Sequence, residues 1–142
     1  MGLLARQMEY RFEFGDPREV SVTASGVGRV EAFGRLFEDL TESPEFVPGM
    51  RILLDLTDVD MTTLPGVDAP EIGRALAKLR DRCDGCSLAV VGDDPLTLQL
   101  VEMAELGSGG MDVWLALSRD EAAAWLELRR ALSEPELAGG EG

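Results

Sequence analysis

The residues best suited to chemistry in this chain are carboxylates and hydroxyls gathered in two places. Asp58-Val59-Asp60-Met61-Thr62 spells DxDxT, and Val90-Val91-Gly92-Asp93-Asp94 supplies a second acidic pair. Each follows a short apolar run, Ile52 to Leu56 and Cys86 to Val91. Such runs read as strands buried on both faces. If both belong to one parallel sheet, the carboxylates converge on the edge where ligands and partners meet such sheets. Carboxylates so placed favour a hard cation such as Mg²⁺. The plain competing reading puts Asp58 and Asp60 in a solvated loop, their side chains turning the backbone. Threonines crowd the same stretch, so the candidate edge comprises Thr57, Asp58, Asp60, Thr62, Thr63, Asp93 and Asp94.

Most other chemistries are excluded by composition. The chain has no histidine, which removes Ser-His-Asp and Cys-His catalysis and histidine-ligated metals. Its two cysteines, Cys83 and Cys86, form one CxxC. That is half a zinc site with no second half. It falls where a helix ends and a strand begins, whereas a redox CxxC opens a helix, so both cysteines read as small buried hydrophobes. Gly26-x-Gly28 precedes a helix, but Glu31 occupies the third glycine position of a dinucleotide fingerprint, leaving a strand-to-helix turn. Gly107-Ser108-Gly109-Gly110 leads from helix to strand, the reverse of a phosphate loop. No catalytic residue, metal ligand or cofactor site is assigned on a stringent motif.

The elements that must position the acidic edge follow from periodicity. In Glu9 to Phe14, Tyr10, Phe12 and Phe14 alternate with polar residues. In Glu19 to Ser25, Val20, Val22 and Ala24 do the same. Gly15-Asp16-Pro17-Arg18 between them is a turn, which predicts a β-hairpin with one wet face. Gly26-Val27-Gly28 breaks the second strand. A helical stripe of Val30, Phe33, Leu36, Phe37 and Leu40 then runs to Glu42. A second helix is expected from Pro70, with Ile72, Ala75, Leu76 and Leu79 inward. Asp94 as N-cap and Pro95 as first helical residue open a third, to about Leu106. Asp112 to Leu117 is the last strand. Ser118 and Glu121 form a capping box for a helix through Ala122, Trp125, Leu126 and Leu132. The order predicts an α/β domain: a mixed, mostly parallel five-stranded sheet with an N-terminal β-hairpin and about four helices. The hairpin's polar face suggests helices mainly on one side. Residues 1–8 read as a lead, 9–132 as one domain, and 133–142 as an acidic, glycine-rich, disordered tail.

With 142 residues, a single domain buries roughly 68–70% of its unfolded surface. Lysine and arginine number 13 against 27 acids, a formal net charge of -14. That field repels phosphate backbones and anionic lipid surfaces. There is no run of the ~20 apolar residues a membrane helix needs, and Leu3-Leu4-Ala5 is too short for a signal peptide. The chain is expected in the cytoplasm, with a protein partner rather than nucleic acid.

Three features together resemble the STAS domain family, the anti-sigma-factor antagonist fold, over residues 8 to 130. They are the hairpin followed by a helix, the stretch Ile52-Leu53-Leu54-Asp55-Leu56-Thr57-Asp58-Val59-Asp60, and the acidic turn Gly92-Asp93-Asp94-Pro95. The chain is most similar to the divergent STAS/SEC14, sporulation-antagonist-like branch. The resemblance implies a non-catalytic regulatory module that binds a protein, with the SEC14-like label suggesting carriage of a small apolar ligand as the alternative. Phospho-switch members carry Asp-Ser-Ser/Thr-Gly after this strand. Here an ungapped count puts Leu64 and Pro65 near the expected hydroxyl. A short gap brings in Thr62 or Thr63, neither followed by glycine. DxDxT also looks like a haloacid-dehalogenase-type phosphatase, the third reading. Against it, Asp55 and Thr57 interrupt the strand before Asp58, and the chain is short for that fold. The third helix bears on the alternatives. Leu98 falls away from its Leu96, Leu100, Val101 and Ala104 stripe, and Met103 and Leu106 widen the apolar arc, leaving Thr97, Gln99, Glu102 and Glu105 as its polar side. Leu98, Met103 and Leu106 are thus candidates for a homodimer interface or an apolar crevice.

Overall fold

Tyr10, Phe12 and Phe14 need cover while Glu9, Arg11 and Glu13 need water, and a hairpin at the end of a sheet satisfies both. In the computed structural model, which describes residues 8–15, 18–61, 74, 85–95, 97, 98, 101 and 112–133, β1 (Glu9–Gly15) runs antiparallel to β2 (Glu19–Val27) with Phe12 opposite Val22. β3 (Arg51–Asp60), β4 (Ser87–Val91) and β5 (Asp112–Ala116) continue the sheet in parallel. The order is β1-β2-β3-β4-β5, so the apolar run of β3 is central and the hairpin lies at one edge. This is the mixed α/β sheet that the strand pattern predicts.

Two helices are bounded among the described residues, α1 (Val30–Glu42) and α2 (Arg119–Ser133). Arg74, Pro95, Thr97, Leu98 and Val101 are helical at the described positions of the other two expected helices. The rest of those helices, Cys83, and the tail from 134 lie outside the described residues. α1 buries Phe33, Leu36, Phe37 and Leu40 against Val20, Val22, Ile52, Leu54, Leu88 and Val90 on one face of the sheet, where Met8 and Val101 join them. The other face, expected to carry the smaller share of the helices, is covered as well. Leu53, Ala89, Val91 and Ala116 pack under Ala122 and Leu126 of α2, flanked by Trp114 and Trp125 stacked at 5.4 Å. β4 is buried along its whole length, and a strand apolar on both sides requires a layer on both sides. The open polar face is confined to β1 and β2, where Glu9, Arg11 and Glu13 are exposed and Ser21, Thr23 and Ser25 half-buried.

Other expectations change in detail. Gly26 does not end β2. At φ 99 it takes a conformation that side chains disfavour, and the strand continues through Val27. β3 runs on to Asp60, so Asp58 and Asp60 belong to a strand and not to a loop. Thr97 is fully buried instead of joining the polar side of its helix. It lies so close to Gly92 that a Cβ there would meet its Cγ2 at 3.1 Å. Cys86 is buried as expected, but it is held in a disulfide, for which Cys83 is the only other cysteine in the sequence.

The Tyr10 hydroxyl ties β1 to α1, donating to Asp39 Oδ2 at 2.6 Å. Burial, and then the Asp39 carboxylate, push the Tyr10 phenol up to about 12. Tyr10 is the only tyrosine in the chain, so phenolate absorbance reports this side chain alone. An alkaline titration should give a midpoint near 12, lowered in Asp39→Asn; a wild-type midpoint at the ordinary 10.0 would contradict the contact.

Candidate functional site

The inward residues of β3 do not keep one parity. Ile52, Leu54 and Leu56 face α1, and so do Val59 and Met61. Strict alternation would carry Val59 to the opposite face. The slip is absorbed by a bulge. Thr23 of β2 pairs with Asp55, but Ser25 pairs with Asp58, so β3 spends one residue more than β2 over the same length. Bulges bend a strand and re-aim its side chains. Here the extra residue leaves Thr57 and Asp58 both exposed, followed by exposed Asp60.

The bulge is closed by Asp55, whose side chain is only 11% exposed. Its Oδ1 accepts from the Thr57 amide at 2.9 Å and the Thr57 hydroxyl at 2.6 Å. Its Oδ2 accepts from Arg119 Nη1 at 2.8 Å, and the same nitrogen lies 3.4 Å from Thr23 Oγ1. Arg119 is the first residue of α2, and its position is set by capping. The Glu121 amide donates to Ser118 Oγ at 3.1 Å, while Glu121 Oε1 accepts from the Leu117 amide at 2.7 Å. The capping box is therefore made, with its return bond reaching Leu117. Burial on its own raises the Asp55 carboxyl; the Thr57 hydroxyl and amide, then Arg119, outweigh it and hold the group below its ordinary 3.8.

Asp55 and Arg119 are not among the predicted site residues. An aspartate within Leu53-Leu54-Asp55-Leu56 is itself a signal, because a buried carboxylate demands partners. The identity of the cation, 64 positions away, is not contained in that signal. Of the predicted edge, Thr57, Asp58 and Asp60 are exposed along β3, Asp93 is exposed and Asp94 half-buried after β4. The Asp94 carbonyl accepts from the Thr97 and Leu98 amides at 2.9 and 3.2 Å, opening the helix where expected. The last β3–β4 pair is Asp55 with Val91. Asp58 and Asp60 therefore extend beyond the end of β4, toward the end where Asp93 follows. Thr62, Thr63, Met103 and Leu106 lie outside the described residues.

Leu98 is 46% exposed. The apolar cavity lined by Phe33, Phe37, Leu54, Leu56, Val90, Val101 and Val113 measures about 10 Å³, room for about one water-sized sphere and not for an acyl chain. Among the described residues, no group of three or more His, Cys, Asp or Glu side chains is placed to hold a metal ion. Nor, among them, is any helix long and apolar enough to cross a membrane.

Among solved structures, the chain is similar to an uncharacterized protein from the DUF3478 family with a SpoIIAA-like fold, from Shewanella loihica PV-4. The TM-score is 0.58 at 18% identity, covering 89% of this chain and 98% of that one. This chain has a SpoIIAA-like, STAS-like fold. The likeness is one of fold. No protein-family profile and no curated protein matches the chain.

The clasp carries a stability prediction with a sign. With its folded pKa below 3.8, Asp55 contributes stability that is present above that value and lost as pH falls through the lowered folded pKa. Asp55→Asn should cost about 1–3 kcal/mol at neutral pH by urea unfolding, since it weakens acceptors for an amide and a guanidinium. The gap between variant and wild type should close on acidification. A gap that stays constant down to about pH 2 would contradict the assignment.

Proposed function

We propose that the chain is a non-catalytic, regulatory protein-interaction module of STAS type. Its docking edge is Thr57, Asp58, Asp60, Asp93 and Asp94, with Thr62 and Thr63 in continuation. The observation that carries this reading is the bulge, which turns Thr57 and Asp58 outward together on a strand that outruns its neighbour. Asp55 is buried and neutralised by Arg119, so the negative charge offered to a partner is that of the exposed carboxylates. A partner with a cationic face fits them, and a net charge of -14 would speed its approach in a salt-dependent way. A phosphate on Thr62 or Thr63 would add about -1.5 to -2 charges to the same edge and repel such a partner.

The environment of Asp58 favours docking over phosphoryl transfer. Asp58 stands opposite Ser25, which stands opposite Glu9, in one row across an open sheet face. An attacking carboxylate works in a site that excludes water and holds a cation, and this row offers an open acidic surface instead.

The test is recovery of the tagged chain from cells, with co-purifying proteins quantified for wild type and for Asp58→Lys/Asp93→Lys. A partner should accompany the wild type, and be lost in the double variant and at high salt. Equal recovery with both chains would remove this edge from the account. Mg²⁺-dependent hydrolysis of p-nitrophenyl phosphate that disappears in Asp58→Asn would overturn the non-catalytic reading.

A further inference from the structure

β1 ends the sheet, and among the described residues no strand pairs with its outer edge. Such an edge offers a row of backbone donors and acceptors to another chain, and proteins usually blunt it with charged side chains, proline, bulges or very short strands. Of these β1 has only the charges, Glu9, Arg11 and Glu13, and they alternate in sign. It pairs with β2 without interruption from Glu9 to Gly15, and its inward side carries three half-buried aromatic rings in a ladder. Tyr10 and Phe12 stack at 5.7 Å, and Phe12 and Phe14 meet edge-on at 6.3 Å. On the wet side Arg11 and Glu13 approach only to 4.0 Å, with side chains 70% and 63% exposed. An ion pair this open is weak and readily exchanged for a better one.

The order of residues in this strand points to its occupant. Glu9-Tyr10-Arg11-Phe12-Glu13-Phe14-Gly15 is close to self-complementary about Phe12. We infer that β1 pairs antiparallel with β1 of a second copy of this chain, about a two-fold axis at Phe12, joining the two sheets. In that register Arg11 stands opposite the partner's Glu13 and Glu13 opposite the partner's Arg11. Tyr10 meets the partner's Phe14, and Phe12 meets the partner's Phe12, so the aromatic ladder runs on across the junction. Directly opposed residues in an antiparallel pair share a face and interact most strongly. Charge also selects the register. Moving the axis to Arg11 sets Arg11 against the partner's Arg11 and Glu9 against the partner's Glu13. Moving it to Glu13 sets the two Glu13 side chains against each other. An axis at Tyr10 would also pair Glu9 with the partner's Arg11, but it overlaps β1 over Glu9 to Arg11 only, whereas the axis at Phe12 pairs opposite charges twice with the whole strand in register. This interface is separate from the acidic edge of β3, which lies on the far side of β2 from it.

Sedimentation velocity on the full chain tests this at physiological ionic strength, where screening limits the repulsion between two chains of net charge -14. The wild-type mass should rise with concentration from one chain to two. Arg11→Glu and Glu13→Arg should each be monomeric, because each sets like charges opposite one another. Both positions are exposed, so both variants should keep the wild-type circular dichroism. Mixing the two single variants should give a heterodimer, since each then carries the charge the other requires. Arg11→Glu/Glu13→Arg in one chain should restore the homodimer. A wild type that is monomeric at every concentration overturns the proposal. So does a dimer that both single changes leave intact, or a mixture that fails to associate.

Discussion

Asp55 interrupts a strand that is apolar on both faces, and its burial is tolerable because both of its oxygens are occupied. One holds the amide and hydroxyl of Thr57, the other the guanidinium of Arg119. This arrangement joins three parts of the chain at one point: the bulged end of β3, Thr23 of β2, and the first turn of α2. Desolvation works against the charged carboxylate, and three donors outweigh it. Removing one donor would leave a buried acceptor partly unsatisfied, which costs more than an average hydrogen bond contributes. The first turn of α2 and the shape of the β3 edge thus meet in a single interaction.

The same interaction divides the charge of the edge into two kinds. Asp55 is inward and spent on structure; Thr57, Asp58 and Asp60 are outward and available. A bulge accomplishes this because it changes the parity of the strand once and then lets alternation resume, so Val59 and Met61 return to the core. Without the extra residue, the strand would have to expose apolar residues or bury carboxylates beyond Leu56. The STAS-like fold supplies the sheet. The local chemistry of β3 supplies the surface through which we propose it acts.

Much of the architecture was legible in the sequence because it rests on local patterns. Tyr10, Phe12 and Phe14 alternate with charges, and they form an edge strand. Phe33, Leu36, Phe37 and Leu40 repeat at helical spacing, and they form the buried stripe of α1. Asp94-Pro95 and Ser118 with Glu121 mark helix starts, and both helices begin there. The rest depended on contacts distant in sequence. Thr57-Asp58 looks like the start of a loop, and only pairing with Ser25, Gly26 and Val27 keeps it in the sheet. The Ala122 and Leu126 stripe predicts that α2 packs, but not on which face; Leu53, Ala89 and Val91 decide that. Thr97 is polar by composition, yet its contact with Gly92 places it in the interior. At the candidate site, the exposed carboxylates could be picked out from their spacing. The clasp behind them could not, because Asp55 and Arg119 meet only in the folded chain.

The Thr57 amide is an N–H on an exposed residue that is nonetheless held by a buried carboxylate. Amide hydrogen exchange followed by NMR reads it alone. The Thr57 amide should exchange far more slowly than an unstructured amide, and should lose that protection in Asp55→Ala while the Val22 amide in β2 keeps its own. A Thr57 amide that exchanges freely in the wild type, or one whose protection survives Asp55→Ala, would contradict the clasp and the bulged edge built on it.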